Sequence, residues 1–319
     1  TSKALGVGYS AENIAKCLIY SKNLMDQNLP VIYNSYHLAA LVGYKHSYLT
    51  RSLLSTEFFY RHFRVKKRDS GYRNISEPLP SLKEIQIFIL KEILYTQKVS
   101  RYCKSYVPKK SITDYLRFHV DEKEILTFDI VNFFPSIKYE LVKSCFKQLG
   151  YSENVSLYLA CLCTYTAKEN SLTYEKRYLP QGAPTSPYLS NLILKEFDNN
   201  VAKYCQENNM KYTRYADDLA FSGENLNRES IQSFLTSSLR PLNLVLNHDK
   251  TRLMKKNVPQ IVSGVILNKK MQLPKKERNE IRKVMYFIMK FSLEDHLAKI
   301  DETRAVSYTH LTLPTKRIV

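Results

Sequence analysis

Two adjacent aspartates, Asp217 and Asp218, lie between two short β-prone runs, Lys211-Tyr-Thr-Arg-Tyr and Leu219-Ala-Phe-Ser. Runs of this kind around a tight connection predict a hairpin, although Ala216-Asp217 lacks the glycine or asparagine usual at its turn. Carboxylates crowded at a hairpin tip repel unless a cation neutralises them. Whatever packs around this tip must therefore bring positive charge to it. A second strand offers a matching acid, because Ile125-Leu-Thr-Phe-Asp129-Ile is a short apolar run with a carboxylate near its end. A lone pair of aspartates is most often a solvated turn; a third on a neighbouring strand changes the chemistry. Strands that set Asp129 beside Asp217 would hold two hard divalent cations, which prefer carboxylate oxygens and keep room for phosphates. Such a pair supports in-line nucleotidyl transfer, one cation activating the attacking oxygen and the other stabilising the leaving pyrophosphate.

The charge balance says what the partner is. Lys and Arg outnumber Asp and Glu by 48 to 30, a formal net charge of +18. That excess points to a polyanion, nucleic acid first and an anionic membrane surface second, with a merely soluble basic protein as the bland alternative. Between Asp249 and Lys283 there are eleven cations and three anions, and Arg61 to Arg73 holds Arg64, Lys66, Lys67 and Arg68 as well. Two basic stretches on either side of an acidic motif suit a groove with phosphate-contacting walls. The 24 Tyr and 14 Phe supply rings for stacking on bases as well as for the core. Six cysteines without a CxxC pair or zinc-like spacing predict reduced, mostly buried thiols. No apolar run approaches a membrane span and no signal peptide is visible. A cytoplasmic protein without a membrane partner is expected.

Residues 1–60 show helical apolar spacing (Ile14, Leu18; Leu38, Leu41, Val42; Leu49, Leu53, Leu54), punctuated by Pro30 and Gly43. Phe63, Val65, Arg73 and Ile75 alternate around Asp69-Ser70-Gly71, which predicts a hairpin. Residues 81–95 predict an apolar helix capped by Ser81. Further on, the sequence predicts a helix from Pro135-Ser136, a helix over Ser230 to Leu239, a strand over Leu242 to Leu246, a strand pair over Ile261 to Leu267 and a helix near Lys276 to Phe291. Strands that carry the acids among helices make an α+β fold. The chain opens on Thr rather than Met, so a processed, trimmed or partial chain is expected. Ala305 to Thr315 reads AVSYTHLTLPT, which resembles the in-frame translation of a transposase-type sequencing adapter, so 305–319 are expected to be an assembly artefact outside the fold.

FDIVNFF, LPQGAPTSP, YTRYADDLAFS, NHDKT and VSG stand in the order and spacing of reverse-transcriptase motifs. From about Leu29 to Arg282 the chain resembles a bacterial retron reverse transcriptase. The resemblance implies a right-hand polymerase: a helical N-terminal extension (1–60), fingers (61–125), a palm (126–268, with finger-associated helices at about 138–170) and a truncated helical thumb (269–304). It implies an RNA-directed DNA polymerase that copies a structured RNA into single-stranded DNA, with dNTPs as substrates, an RNA–DNA duplex as product and two Mg²⁺ ions, or Mn²⁺, as cofactors. A role in anti-phage defence beside an effector protein is implied as well. Asp129, Asp217 and Asp218 match the catalytic, metal-binding acids, with Ile130 among the metal ligands. Phe134, five residues after Asp129, matches the steric gate that rejects a ribose 2′-OH; Phe133 or Phe134 must face the site, and the spacing favours Phe134.

Gln181-Gly182-Ala183-Pro184 is a rigid turn before a helix near Ser186, with Pro187 at a favoured early position. By resemblance, Gln181 and Gly182 meet the incoming nucleotide while Pro184 and Ser186 meet nucleic acid. Lys250 matches a lysine near the triphosphate, and Arg73 matches the fingers arginine that clamps it, helped by Lys66 or Lys67. Tyr215, His119, Ser263, Lys275 and Lys276 are the other expected nucleic-acid contacts. His119 closes Tyr115-Leu-Arg-Phe-His119, where retron enzymes carry NAxxH, and Val262-Ser263-Gly264 stands in place of their VTG. Other defence or group-II-intron-like reverse transcriptases, and a non-catalytic RNA-binding scaffold, are the alternatives; three intact aspartates argue against the scaffold.

Overall fold

The computed structural model describes residues 5, 6, 8, 10–66, 71–166 and 177–293. Its first helices are α1 (Ala11–Asp26), α2 (Ser35–Leu41) and α3 (His46–Leu54). Ser10 and Asn34 cap α1 and α2 by accepting the backbone N–H of Asn13 and His37. Leu38, Leu49 and Leu53 are buried, whereas Leu18, Leu41 and Leu54 of the same expected apolar faces are exposed. α1 is anchored by Leu24 and by Tyr20, whose hydroxyl donates to the Ile32 carbonyl at 2.7 Å. The helical spacing located these helices without fixing which face is covered. Five of the six cysteines are buried and Cys17 is exposed.

β1 (Tyr60–Lys66) and β2 (Tyr72–Pro78) pair antiparallel, with Phe63 opposite Ile75 and Val65 opposite Arg73. Lys67, like 305–319 with their expected artefact, lies outside the described residues. α4 (Pro80–Phe88) continues as a π-helical turn over Ile89–Leu94. It starts before the expected Ser81 cap, at Pro80, because a fixed φ and a missing N–H suit a first helical position. The chain continues through α5 (Ile112–Leu116), β3 (Glu124–Asp129), α6 (Phe133–Ser136), α7 (Tyr139–Gln148), α8 (Glu153–Cys163), α9 (Ser186–Ile193) and α10 (Lys195–Glu207). Pro135 and Ser136 end the short α6 rather than start a helix; Asn132, left-handed, leads into it, and the longer helix begins at Tyr139.

β4 (Lys211–Tyr215) and β5 (Asp218–Gly223) form the expected hairpin, followed by α11 (Arg228–Leu239), β6 (Arg252–Lys255), β7 (Ile261–Val262), β8 (Val265–Ile266) and α12 (Lys275–Phe291). The strand expected over Leu242 to Leu246 does not form. Arg240–Leu242 is a 3₁₀ turn, Asn243 is left-handed and breaks the extended run, and Leu246 makes a single bridge to Ile130.

β4, β5, β3 and β6 make one antiparallel sheet in that order. Leu126, Phe128, Tyr212, Leu219 and Phe221 join the main core with Leu24, Leu38, Phe146, Leu159, Leu189 and Val201. Ile125, Ala220 and Met254 belong to a smaller cluster with Tyr115, Leu116, Val262 and Leu267. The alternation along each strand thus divides the sheet into a helix-covered face and a thinner one.

Arg214, on β4, heads the fully buried side chains by size. Its Nε and Nη2 donate to Oδ1 and Oδ2 of Asp198, on α10, at 2.7 and 2.8 Å, and the Tyr212 hydroxyl donates to Oδ1 at 2.8 Å. The fork matches the carboxylate, so two buried charges satisfy each other. Asp198→Ala leaves the guanidinium buried without its partner and is expected to lower the unfolding free energy by about 3–5 kcal/mol, measured as a shifted urea midpoint. The paired replacement Arg214→Met/Asp198→Leu should lose less; an equal or larger loss would show that the stranded charge is not the cause.

Candidate active site

The hairpin turn between β4 and β5 is only Ala216-Asp217, and Ala216 adopts φ 56°, a left-handed conformation that costs an L-residue about 1–2 kcal/mol. A closed set of buried hydrogen bonds holds it there. The Ala216 N–H donates to Ser105 Oγ at 2.7 Å, and its carbonyl accepts from Arg214 Nη1 at 3.1 Å. Arg214 Nη1 also reaches Asn191 Oδ1 at 3.3 Å, and Asn191 Nδ2 donates to the Ser105 carbonyl at 2.8 Å. Sequence reasoning singled out none of Ser105, Asn191, Asp198 or Arg214. One signal was available: in Lys211-Tyr-Thr-Arg-Tyr, Arg214 falls on the same side of the strand as Tyr212, which a core-facing strand tolerates only with a buried acid opposite.

The register sets Asp129 opposite Asp218, and the Ile130 N–H donates to the Asp217 carbonyl at 3.2 Å. Like charges directly opposite across a ladder are unfavourable. Burial and then the Asp129 charge push the Asp217 carboxyl upward; burial and the Asp217 charge push Asp218 up to about 6. Positive charge arrives through Lys250, whose Nζ lies 2.9 Å from Asp129 Oδ2. Burial works against that ammonium, but its bond to Asp129 and the charges of Asp217 and Asp218 hold it above the ordinary lysine range. Ser263 Oγ donates to Asp218 Oδ2 at 3.0 Å. Ser263 (φ 45°) and Gly264 (φ 82°) are the two-residue turn between β7 and β8, both left-handed, as tight hairpins require.

Among the described residues no three His, Cys, Asp or Glu side chains converge on one metal position; Asp129 and Asp218 each face a donor of their own. The donor set nevertheless fits a hard divalent cation. It offers clustered carboxylate oxygens whose charge is disfavoured by burial and by one another, and an ammonium already sits on one of them.

Beside the acids lie the groups expected to meet a nucleotide. Phe133 is buried and Phe134 half-buried. The Phe134 ring is 6.3 Å from that of Tyr106, which is 6.4 Å from that of Tyr215. Tyr106, at φ 56°, was not anticipated, and nothing in its sequence neighbourhood marks it. Arg73 acts electrostatically on Asp217 and on Tyr106. The Gln181 carbonyl accepts the Ser76 N–H at 2.8 Å, and a Cβ at Gly182 (φ 123°) would come within 2.9 Å of Ile75 Cγ2 and 3.0 Å of the Ser76 carbonyl. Glycine is therefore required where this loop meets β2. Pro184 is half-buried beyond it.

Two expected nucleic-acid contacts are corrected. His119 is fully buried, with Nδ1 2.8 Å from Ser222 Oγ and Nε2 2.6 Å from Thr213 Oγ1, so both ring nitrogens are engaged inside the protein. Ser186 is buried in the first turn of α9 and presents no surface to a nucleic acid. Lys66, Lys275 and Lys276 are exposed, and no bond links them with the aspartates among the described residues.

Acids on adjoining strands of an antiparallel sheet, with a ring and a guanidinium beside them, define a polymerase palm. The family described as reverse transcriptase (RNA-dependent DNA polymerase) matches residues 65–285. The Retron Ec86 reverse transcriptase of Escherichia coli is 29% identical over 269 residues, 83% of this chain and 81% of that protein. The Retron Ec83 reverse transcriptase of Escherichia coli is 30% identical over 76% of this chain and 78% of its own length, and the Retron Mx65 reverse transcriptase of Myxococcus xanthus 31% identical over 76% and 59%. A solved telomerase from Candida albicans is similar at a TM-score of 0.46 and 11% identity, over 73% of this chain and 50% of that one. The chain belongs to the reverse transcriptase family, among the retron enzymes, and is an RNA-directed DNA polymerase. No helix of the described residues is long and apolar enough to cross a membrane.

Burial pulls the His119 imidazole from its ordinary value down to about 3. The folded protein then binds fewer protons than the unfolded chain between about pH 6.5 and pH 3, so this residue's contribution is intact above pH 6.5 and declines as pH falls through that window. From pH 7 to pH 5 the loss is about 2 kcal/mol. Urea titrations of wild type and His119→Gln at both pH values should differ by that amount in their pH dependence; parallel pH dependences would sink the assignment.

Proposed function

We propose that this polymerase copies a structured RNA into single-stranded DNA by two-metal nucleotidyl transfer at Asp129, Asp217 and Asp218, as the reverse transcriptase of a retron anti-phage system. The observation that supports the mechanism is the register that puts Asp129 opposite Asp218 with Asp217 in the turn between β4 and β5. Two Mg²⁺ ions, for which Mn²⁺ would substitute, would be held by the three carboxylates and the Ile130 carbonyl, and would stabilise charge on the attacking 3′-oxygen and on the leaving pyrophosphate. Lys250 would turn from Asp129 toward the triphosphate and give a proton to pyrophosphate as it leaves. Arg73 would grip the triphosphate through paired N–H donors, with Lys66 or Lys67 beside it.

Phe134 lies under the sugar in this scheme and restricts the substrate to dNTPs. Gln181, Gly182 and Pro184 line the template and nucleotide side, Tyr215 meets the primer end, and Ser263, Lys275 and Lys276 follow the RNA–DNA duplex. Residues 1–60 are then the helical extension, 61–125 the fingers, 126–268 the palm and 269–304 the start of the thumb. An effector protein as partner and a place in the bacterial cytoplasm belong to the same proposal, and what supports the retron reading itself is the likeness to retron reverse transcriptases of Escherichia coli.

The test is dNTP incorporation on a primed RNA template in Mg²⁺. Wild type extends the primer, and Asp217→Ala reduces extension to background; failure of wild type to extend at all would favour the RNA-binding scaffold. Phe134→Ala should cut discrimination against rNTPs by about a hundredfold, and unchanged discrimination would remove Phe134 from the gate.

A further inference from the structure

The chain just before Ser105 is laid along β4, the edge strand of the sheet. The Arg214 N–H donates to the Tyr102 carbonyl at 3.0 Å, and the Lys104 N–H donates to the Arg214 carbonyl at 2.9 Å. Between this segment, the start of β4 and the end of α10 lies a cavity of about 360 Å³, a volume within the range of small-ligand sites. Cys205, Met210 and Tyr212 line it together with the rings of Tyr102 and Phe118, and so do the cations Arg101, Lys104 and Lys211. None of them has a task in the polymerisation scheme.

The cations stand over the rings. Arg101 Cζ is 4.9 Å from the Tyr102 ring centre, and Lys104 Nζ and Arg117 Cζ are each 5.0 Å from that of Phe118. The Tyr102 hydroxyl accepts from Arg101 Nη2 at 2.6 Å and from Gln206 Nε2 at 3.3 Å, which fixes its ring. Arg117 pairs with Asp114 and Lys211 with Glu122, but among the described residues no carboxylate pairs with Arg101 or Lys104. Burial, and then the charges of Lys110 and Arg117, lower the Lys104 ammonium below the ordinary lysine range. Positive charge is in excess beside an apolar cavity with two rings, and a flat ring joined to an anion satisfies both halves.

We propose that this cavity takes one unpaired nucleotide of the RNA, outside the polymerisation cleft, with its base against Tyr102 and Phe118 and its phosphate on Arg101 and Lys104. The site rests on the reading that the substrate is a structured RNA, because loops and bulges are where such an RNA presents unstacked bases to a protein. Bases stacked on aromatic side chains, with cations along the backbone, are how single strands are held. An acidic peptide would satisfy the cations and leave the rings without a partner. At the sheet edge, one loop of the RNA is held while another part is copied.

The experiment uses the full chain with a fluorescein-labelled RNA decamer, read by anisotropy while excess unlabelled RNA–DNA duplex fills the polymerisation cleft, with thermal melts as a check of folding. The decamer should stay bound. Phe118→Ala should weaken it about tenfold, the loss of one stacked base. Arg101→Ala, at an exposed side chain, should lower the slope of log affinity against log salt by about 0.7, one phosphate of a single strand. Both variants should extend a short primed RNA template at the wild-type rate. Displacement of the decamer by the duplex overturns the proposal, as does unchanged affinity in Phe118→Ala or an unchanged salt slope in Arg101→Ala. Equal binding of the same sequence as DNA assigns the cavity to the product strand, and equal competition by poly-glutamate of the same charge assigns it to an acidic peptide; either result also overturns it. A wild type that holds the decamer beside the duplex, with both variant effects, but extends no primer supports the cavity and sinks the polymerisation scheme.

Discussion

The buried pair of Arg214 and Asp198 ties the helix layer to the strand that ends at the Ala216-Asp217 turn. Asp198 belongs to a helix packed in the main core, and Arg214 extends from the sheet into that layer. The same guanidinium then reaches forward to the Ala216 carbonyl and sideways to Asn191. A charge pair of this kind adds little net stability compared with a well-packed apolar pair, but its geometry is narrow. Here that narrowness is put to use. A turn that alanine would not hold unaided is kept in one conformation, and the aspartate after it inherits a fixed position.

Above the turn the situation is reversed, because the carboxylates gain nothing from one another. Asp129 and Asp218 are cross-strand neighbours, and burial magnifies their repulsion. Lys250 and Ser263 each take one of them, from a 3₁₀ turn before β6 and from the β7–β8 turn. The acids sit on two central strands of a rigid sheet, while their neutralising partners sit on connections at its margin. The acids are thus held by paired strands, and their partners by short turns.

Much of this was legible in the residues themselves. Acids placed at the ends of short apolar or β-prone runs have few arrangements open to them, so the two central strands and the hairpin followed from Asp129 and Asp217-Asp218. Alternation around Asp69-Ser70-Gly71 gave β1 and β2 for the same reason. Spacing was mute where one face of a helix is left open, as at Leu18, or where a single left-handed residue such as Asn243 interrupts an apolar run. His119 shows the limit of motif matching, since a polar residue in a functional element can be wholly committed to hydroxyls inside the sheet. Ser105 and Tyr106 are far from the aspartates in sequence and carry no local signature; only the closed chain brings them there.

The tether between Ser76 and Gln181 has a mechanical consequence. β2 is pinned to the loop at the Ser76 N–H, and Gly182 leaves no space between loop and strand for even one carbon to act as a spacer. The hairpin therefore cannot turn as a whole about its root. Arg73 lies three residues beyond the pin, a lever of roughly 10 Å at the rise of an extended strand. Any displacement of the Arg73 end of the strand is therefore anchored at Ser76, and the strand root and the loop that follows Leu179 are held as one unit.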